Sequence, residues 1–507
     1  MSLSPAPAET SDTSLHHGRL GVVGIVFYVI AAASPLVGMT GALPVAVVLG
    51  NGPGVPGAYL AVGVVLLLFS VGYATMSQWV TNTGAFFAYV GRGLGIGPGV
   101  GSAYASLLAY LAIQLAIFGF FGAVMAGQMK DQFDLDWSWW VWALLAWAAV
   151  LALSAFSVDV GAKFLGVLMV FELGSLILTS VAVLTHGGGP EGLDFGASFS
   201  PGNVFVGGIA GSAGIAFSFA FASFIGFEAT AIYGEESKDP KRTVPLATYI
   251  AVSSITVLFA VTTFAVISAL GPDQAVAQAS SLSAVNGVPL VNSAQVIFSV
   301  AAEYVGSWLA TTMSWLVLSS LFAGMLAFQN SAARYFFAMG RAGVLPSRLD
   351  RVTASGAPLF GSIATSIITG IVIVFFAATG KDPVLNLFFW FSSLAVVSIV
   401  LVEFLVCLAV VAYFRRHPHD STWWHTIVAP LLAALGLVVG EYLLMSRFGL
   451  LAGTVAEGVD PTAQAWGLSL LGYTLVFLPF AVFLVGAAVG VARRGGENAA
   501  AVTDLVH

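Results

Sequence analysis

Charge is what this sequence has least of. Only 8% of its 507 residues are Asp, Glu, Lys or Arg, and 58% are hydrophobic, with a mean hydropathy of +0.96. A water-soluble domain carries roughly 25% charged residues. The shortfall excludes an ordinary soluble fold and points to lipid. There is one cysteine, Cys407, so no disulfide framework can form within one chain. The seventeen Lys and Arg are scattered through loops and form no basic patch, and the net charge is −7, which argues against a nucleic-acid partner. The seven histidines sit in tails and loops, and no metal set is expected of them. His417 and His419 stand beside Arg415 and Arg416 and read as a solvated turn. No H-E-x-x-H, G-x-S-x-G or Walker-type loop is present, so an embedded enzyme is not expected and no cofactor is called for. The glycine-rich stretch 91–101 follows no strand and reads as a flexible lead-in to a helix rather than a nucleotide loop.

What the chain has instead is about twelve apolar runs, each close to the ~20 residues needed to cross a bilayer. They are Leu20–Leu49, Gly57–Trp79, Val100–Met129, Trp137–Val158, Phe164–Leu184, Val204–Tyr233, Leu246–Leu270, Gly306–Ala333, Leu359–Ala378, Leu387–Phe414, Trp423–Met445 and Ala465–Val491. Residues 296–303 fit either the eighth run or the loop before it. Residues 1–18 lack the basic start and small-residue cleavage site of a signal peptide and read as a disordered tail; 495–507 read likewise. The membrane-embedded body is expected over 19–494.

With an even number of spans, both termini fall on one side. That side then holds Arg19, Arg92, Lys163, Lys238, Lys241, Arg242, Arg334, Arg341, Arg348, Arg351, Arg415, Arg416, Arg493 and Arg494, fourteen in all. The other side holds Lys130, Lys381 and Arg447. The positive-inside bias makes the fourteen-residue side cytoplasmic, in a plasma (inner) membrane. Losing one span would reverse every later loop, so the split also supports the count. Of the far-side loops, 271–292 has room for short helices, and 186–203 reads as a simple glycine-rich excursion.

Two spans carry breaks. The first reads LGVVGIVFYVIAAASPLVGMTGALPVAVVL, where Pro35 removes a backbone donor and crowds the turn before it, with Gly38 and Gly41 following. The sixth, FAFASFIGFEATAIYG, has Ser223, Gly226 and Glu228 together. Matching breaks in two halves of a chain point to a binding site, because the freed N–H and C=O groups need partners. The residues placed at this site are Ala33, Ser34, Pro35, Gly38, Phe221, Phe224, Ile225 and Gly226. No base falls in the middle of a span, but acids do. Glu172 lies roughly 13 Å along its helix from Lys163, and Glu403 roughly 18 Å from Arg415. Glu228 adjoins the second break. Lipid burial disfavours a charged carboxylate unless donors or a cation offset the loss of water. Glu172, Glu228 and Glu403 are therefore the expected proton-coupling or cation site. Glu303 and Glu441 are expected near the far surface.

At this point a resemblance becomes specific. SFIGFEATAIYGEESKDPKRTVPLA is similar to the F-x-G-F/V-E…E-x-x-x-P-x-R-x-x-P-x-A pattern of the amino acid–polyamine–organocation permease superfamily. RYFFAMGRAGVLPSRLDRVTASGAPLFG resembles a second signature of that superfamily, and the likeness covers nearly the whole chain. The resemblance implies an all-α integral membrane protein with a five-plus-five inverted repeat of the leucine-transporter type. Repeat one would cover about 20–184 and repeat two about 204–414, with two extra helices over about 423–491. It implies a midplane site between spans 1, 3, 6, 8 and 10, with Phe221, Phe224 and Phe227 near the family's aromatic gating position, as lids over an apolar or amine solute. It implies secondary active transport of amino acids or organic amines, driven by the transmembrane proton gradient as symport, with antiport and putrescine-like import as alternatives. The partners implied are a small solute and the bilayer, as monomer or homodimer. Two departures stand out. The Gly-Ser-Gly that holds a substrate carboxylate in amino-acid members is replaced by Ala33-Ser34-Pro35-Leu36-Val37-Gly38, closer to the putrescine branch. Glu172 aligns where several members carry a lysine, which can stand in for a sodium ion as a glutamate cannot.

Overall fold

The computed structural model describes residues 21–80, 86–155, 159–208, 211–232, 237–353, 357–461 and 464–493. Among these the chain is almost entirely helical, with two isolated bridges, Val285 to Val288 and Val455 to Leu468. Ten helices are long and apolar enough to cross a membrane, and Trp139–Ser154 is a shorter apolar one. The first of the ten, Val22–Ser77, runs through two expected spans, so each of the twelve has its helix. The tails 1–18 and 495–507 lie outside the described residues.

Span 1 is Val22–Ala33, resuming at Pro35 and continuing to Asn51 in alternating α- and π-helical turns; span 2 is Val55–Ser77. Spans 3, 4 and 5 are Ile96–Phe133, Trp139–Ala155 and Asp159–Thr185. Span 6 is Ala213–Phe224 plus Ala229–Ile232, and span 7 is Pro240–Leu270. Spans 8, 9 and 10 are Ser307–Arg341, Leu359–Ala378 and a helix over 383–416. Spans 11 and 12 cover 424–452 and Leu470–Arg493. The ends that carry Arg92, Lys241, Arg334 and Arg416 make one face, here the basic face; the ends near Lys130, Asp382 and Ala452 make the far face.

Several boundaries differ from the sequence reading, each for a physical reason. Stretch 91–101 is mostly helical: Phe86–Leu94 is a separate helix, and Gly95, at φ +101°, makes the corner before span 3. Span 6 starts at Ala213, because Pro201 opens a short helix, Pro201–Val204, and glycines 207 and 208 turn the chain with positive φ. The 186–203 excursion thus holds two short helices, Phe195–Phe199 and Pro201–Val204. Span 7 begins in the charged segment, since Pro240 fits a first helical turn where no N–H is needed. Residues 296–303 form their own helix, Gln295–Tyr304, set off from span 8 by Gly306 at φ +133°. Span 11 runs on to Ala452, which places Arg447 inside it, 6% exposed and donating to the Pro461 carbonyl at 2.8 Å. It also moves Glu441 off the far surface, with both carboxylate oxygens shielded from solvent.

Spans 3 and 10 form the middle of the bundle, packed against helix Phe86–Leu94 and spans 8, 11 and 12 in different combinations. A polar staple ties three of the outer elements to span 3. Gln114 donates to Gln329 of span 8 at 2.7 Å, and Gln329 donates to Ser362 O and Ser366 Oγ of span 9 at 2.8 and 2.9 Å. Trp147 of span 4 donates to the Ser366 carbonyl at 2.8 Å. Such bonds hold helices together in lipid, where burial of apolar area between helices gives little. Cys407 is buried on span 10.

Candidate functional site

The break in span 1 falls at Ser34. The proline ring that follows bars Ser34 from the right-handed helical region. Ser34 takes φ +44°, ψ +68°, a left-handed conformation that is rare outside glycine, asparagine and aspartate. Its N–H still closes the first half by donating to Ile30 O at 3.0 Å, and its Oγ donates to Ala31 O at 2.8 Å. Pro35 then starts the second half, and Ser34 O accepts the N–H groups of Val37 and Gly38 at 2.9 and 3.2 Å. That leaves the Leu36 N–H. It donates to Glu172 Oε1 of span 5 at 2.8 Å, and the same oxygen accepts from Ser320 Oγ of span 8 at 2.9 Å. An anion at a helix start meets both a free donor and the positive end of the dipole.

The break in span 6 covers 225–228. Gly226 has φ +114°, and a Cβ built there would stand 2.7 Å from the Ala32 Cβ, so the two breaks pack directly on one another. The Gly226 N–H donates to Glu228 Oε2 at 2.8 Å. Tyr110 of span 3 donates to Glu228 Oε1 at 3.0 Å, and Tyr73 of span 2 donates to the Glu228 carbonyl at 2.7 Å. Glu228 is thereby the tie between the second break and the helices beneath it.

A cavity of about 40 Å³ lies between the breaks. At roughly 10–15 Å³ for each water it has room for about three. Spans 1, 3, 6, 8 and 10 all reach it, through Ala33, Ser34 and Gly38; Ile113 and Ile117; Phe219, Ser223 and Ile225; Phe328; and Phe388 and Ser392. The wall is apolar apart from serine hydroxyls, and those of Ser34 and Ser223 are already bonded within the protein.

Of the eight residues placed at the site from sequence, the structure sets Ala33, Ser34, Gly38 and Ile225 on the cavity. Pro35 and Gly226 shape the breaks without lining it. Phe221 points at Gly440 of span 11, Phe224 packs edge-on to Phe259 of span 7 at 5.5 Å, and Phe227 edge-on to Phe69 of span 2 at 5.8 Å. The expectation that these three cover a solute is corrected. Phe219 faces the cavity, because it shares a helical face with the small Ala222 and Ser223 at i+3 and i+4, and that face has room for a cavity. The i, i+3, i+4 pattern was readable, since the neighbouring face of span 6 carries Phe221 and Phe224. Ser320, Phe328, Phe388 and Tyr110 had no comparable signal. Glu172 and Glu228 both sit at breaks. Glu403 does not: it is 2% exposed, about three turns along span 10 from Ser392, and its Oε2 has no partner.

On the far side a second, wider pocket of about 390 Å³ is lined by Phe120, Gln128, Asp131, Asn292, Gln295, Thr311 and Asp382, among others. Phe120 and Phe388 stack at 4.9 Å between the two spaces, Phe120 touching the wider and Phe388 the smaller. On the basic side the path is filled by Tyr73, Tyr89, Tyr110 and Tyr335 with Phe69, Phe86 and Phe87, all fully buried. The barrier is one aromatic layer on the far side and several on the basic side.

The amino acid permease family model matches residues 24–452. The chain is 23% identical over 457 residues to amino-acid permease GAP5 of Candida albicans, covering 87% of this chain and 69% of that one. It is 21% identical to the probable threonine/serine transporter YbxG of Bacillus subtilis, over 86% of this chain and 88% of that one. It is 24% identical to the branched-chain amino acid permease BcaP of Lactococcus lactis, over 76% and 80%. Among solved structures, MhsT in complex with L-phenylalanine superposes with a TM-score of 0.50 at 18% identity, covering 83% of this chain and 100% of that one. That likeness establishes the leucine-transporter-type fold.

Proposed function

Because the chain belongs to the amino acid permease family, we propose that it imports an amino acid by secondary active transport, with protons moving in the same direction. The observation that carries this reading is the meeting of two broken helices, Gly226 against Ala32, beside a small apolar cavity with aromatic layers on either side. Alternating access needs a site with a barrier on each side and helices able to bend beside it. The two breaks supply carbonyl ends for an ammonium group and helix starts for a carboxylate. Glu172 is the coupling carboxylate in this reading, since it alone of the acids binds the start of the second half of span 1. Glu228 holds the second break in shape. The basic face is cytoplasmic, and the membrane is the plasma membrane.

Proteoliposomes containing the purified protein test this. Uptake of radiolabelled alanine, valine, glutamate, arginine, putrescine and ethanolamine is followed with and without an inward proton gradient. Gradient-stimulated uptake of an α-amino acid is the expected result. Uptake that ignores the gradient removes the proton from the reading.

A second reading has its own observation. Pro35 offers no N–H, and the next amide, Leu36, is already held by Glu172. If Glu172 stays in place throughout, the substrate needs no carboxylate, and the solute is an organic amine such as putrescine. Gradient-driven uptake of putrescine or ethanolamine, with none of the amino acids, is the result that selects it.

A further inference from the structure

We propose that Glu172 occupies the place of the substrate's own carboxylate, and that a proton on Glu172 is what hands the Leu36 amide to the substrate. The inference rests on the amino-acid reading above and deepens it. Of the amides in the first turn after Pro35, those of Val37 and Gly38 are spent on Ser34 O. Only the Leu36 N–H is held by a side chain from another helix, so it is the one that can change partner without unwinding span 1. The partners of that Glu172 oxygen are an N–H and an O–H, a donor set suited to an anion. The cavity begins at Ala33 and Ser34, within one turn of that amide. A carboxylate arriving there meets the same donor that Glu172 now uses.

The exchange balances as follows. One proton from the outer side converts the Glu172 carboxylate to a carboxyl, which releases the Leu36 N–H. The substrate carboxylate accepts that N–H. On the inner side the substrate leaves, Glu172 gives up its proton, and the carboxylate returns to Leu36. Each cycle moves one zwitterion and one proton, hence one net positive charge. The substrate class follows: an α-amino acid with its carboxylate free and a small apolar side chain, to suit walls made by Ile113, Ile117, Phe219, Phe328 and Phe388.

No other titratable group among the described residues is in contact with Glu172. On span 7 the ionisable residues are Lys241, Arg242 and Tyr249, on span 8 Arg334, Tyr335 and Arg341, and on helix Gln295–Tyr304 Glu303 and Tyr304. All lie about two turns or more from the residues around Glu172. On span 1 the ionisable residue is Tyr28, eight positions before Leu36 in the sequence. Asp159 and Lys163 of span 5 itself are more than two turns away.

Equilibrium binding to the full chain, from pH 5 to 8.5, tests the exchange. The probes are radiolabelled L-alanine and L-valine, with ethylamine as the carboxylate-free analogue. Wild-type affinity for the amino acids is expected to fall with rising pH, approaching tenfold per pH unit, while ethylamine binding stays flat. Glu172→Gln is expected to bind the amino acids with no pH dependence, to lose gradient-driven uptake and to keep exchange. Ser320→Ala removes one donor to the carboxylate without touching the amide, so it moves the pH midpoint, which a merely structural serine would not do. A flat wild-type profile for a bound amino acid overturns this inference alone. Gradient-driven uptake retained by Glu172→Gln also overturns it. Binding of ethylamine with no amino acid bound overturns both this and the amino-acid reading.

Discussion

Three residues set the geometry of the site. Gly226 is the least replaceable. Its φ of +114° costs an L-residue roughly 1–3 kcal/mol, and any Cβ meets Ala32 at 2.7 Å. Gly226→Ala should therefore lower the thermal midpoint in detergent and abolish uptake, whereas Gly174→Ala, with open space at its Cβ, should do neither. Tyr110 is the second. Tyr110→Phe keeps the ring beside Tyr335 at 5.2 Å but removes a donor to a fully buried carboxylate. That loss costs about 1–3 kcal/mol, readable as a lower unfolding midpoint. Ser34 is the third, driven out of the helical region by its proline neighbour. Residues of these kinds were partly legible from sequence. Proline, glycine and an acid in an apolar run are rare enough to be conspicuous, so Pro35, Gly226, Glu172 and Glu228 were found. Phe120, Phe219, Phe328 and Phe388 are four among 38 phenylalanines, and nothing in composition separates a lid from a lipid-facing ring. Tyr110, Ser320 and Gln329 were illegible for a different reason. Their partners Glu228, Glu172 and Gln114 lie more than a hundred residues away, so only the fold brings them together.

Elements were more legible than residues, because a membrane fixes helix length. Every expected span has a helix, and the errors cluster at ends, where length ceases to constrain. Spans 3, 8 and 11 run past the expected limits, and the lead-in expected at 91–101 is helical up to Leu94, its glycines 91 and 93 masking an apolar face. Glu441 was misplaced through the same error, as span 11 was ended too soon. Helices so long need cross-ties, and the staple of Gln114, Gln329, Ser362 and Ser366 is the best defined. Gln329→Leu leaves Gln114 without its acceptor and removes two bonds from span 8 to span 9. At about 0.6–1.7 kcal/mol for each of the three bonds lost in a membrane, the variant should lose about 2–5 kcal/mol, measured by unfolding in mixed micelles.

At the scale of the molecule the two barriers are unequal. A single stack, Phe120 on Phe388, divides the small cavity from the far pocket, and Gly41 lies flush against both rings at 3.1–3.2 Å from a built Cβ. Opening to the far side needs two rings to part; opening to the basic side needs a whole layer of tyrosines to separate from Glu228. Phe120→Ala should accordingly speed the release of a bound labelled amino acid from the solubilised protein and leave the unfolding midpoint of the basic-side layer in place. A bulkier residue at position 41, such as Gly41→Val, should slow both binding and release while the protein still folds. The chain's lone sulfhydryl, on Cys407, is sealed inside span 10 and offers nothing for a maleimide to attack. The native protein is in effect a silent background for site-directed labelling. A single cysteine engineered beside Phe120, or a pair set across the tyrosine layer, would carry the first reactive handle in the molecule, and its signal would report that gate alone.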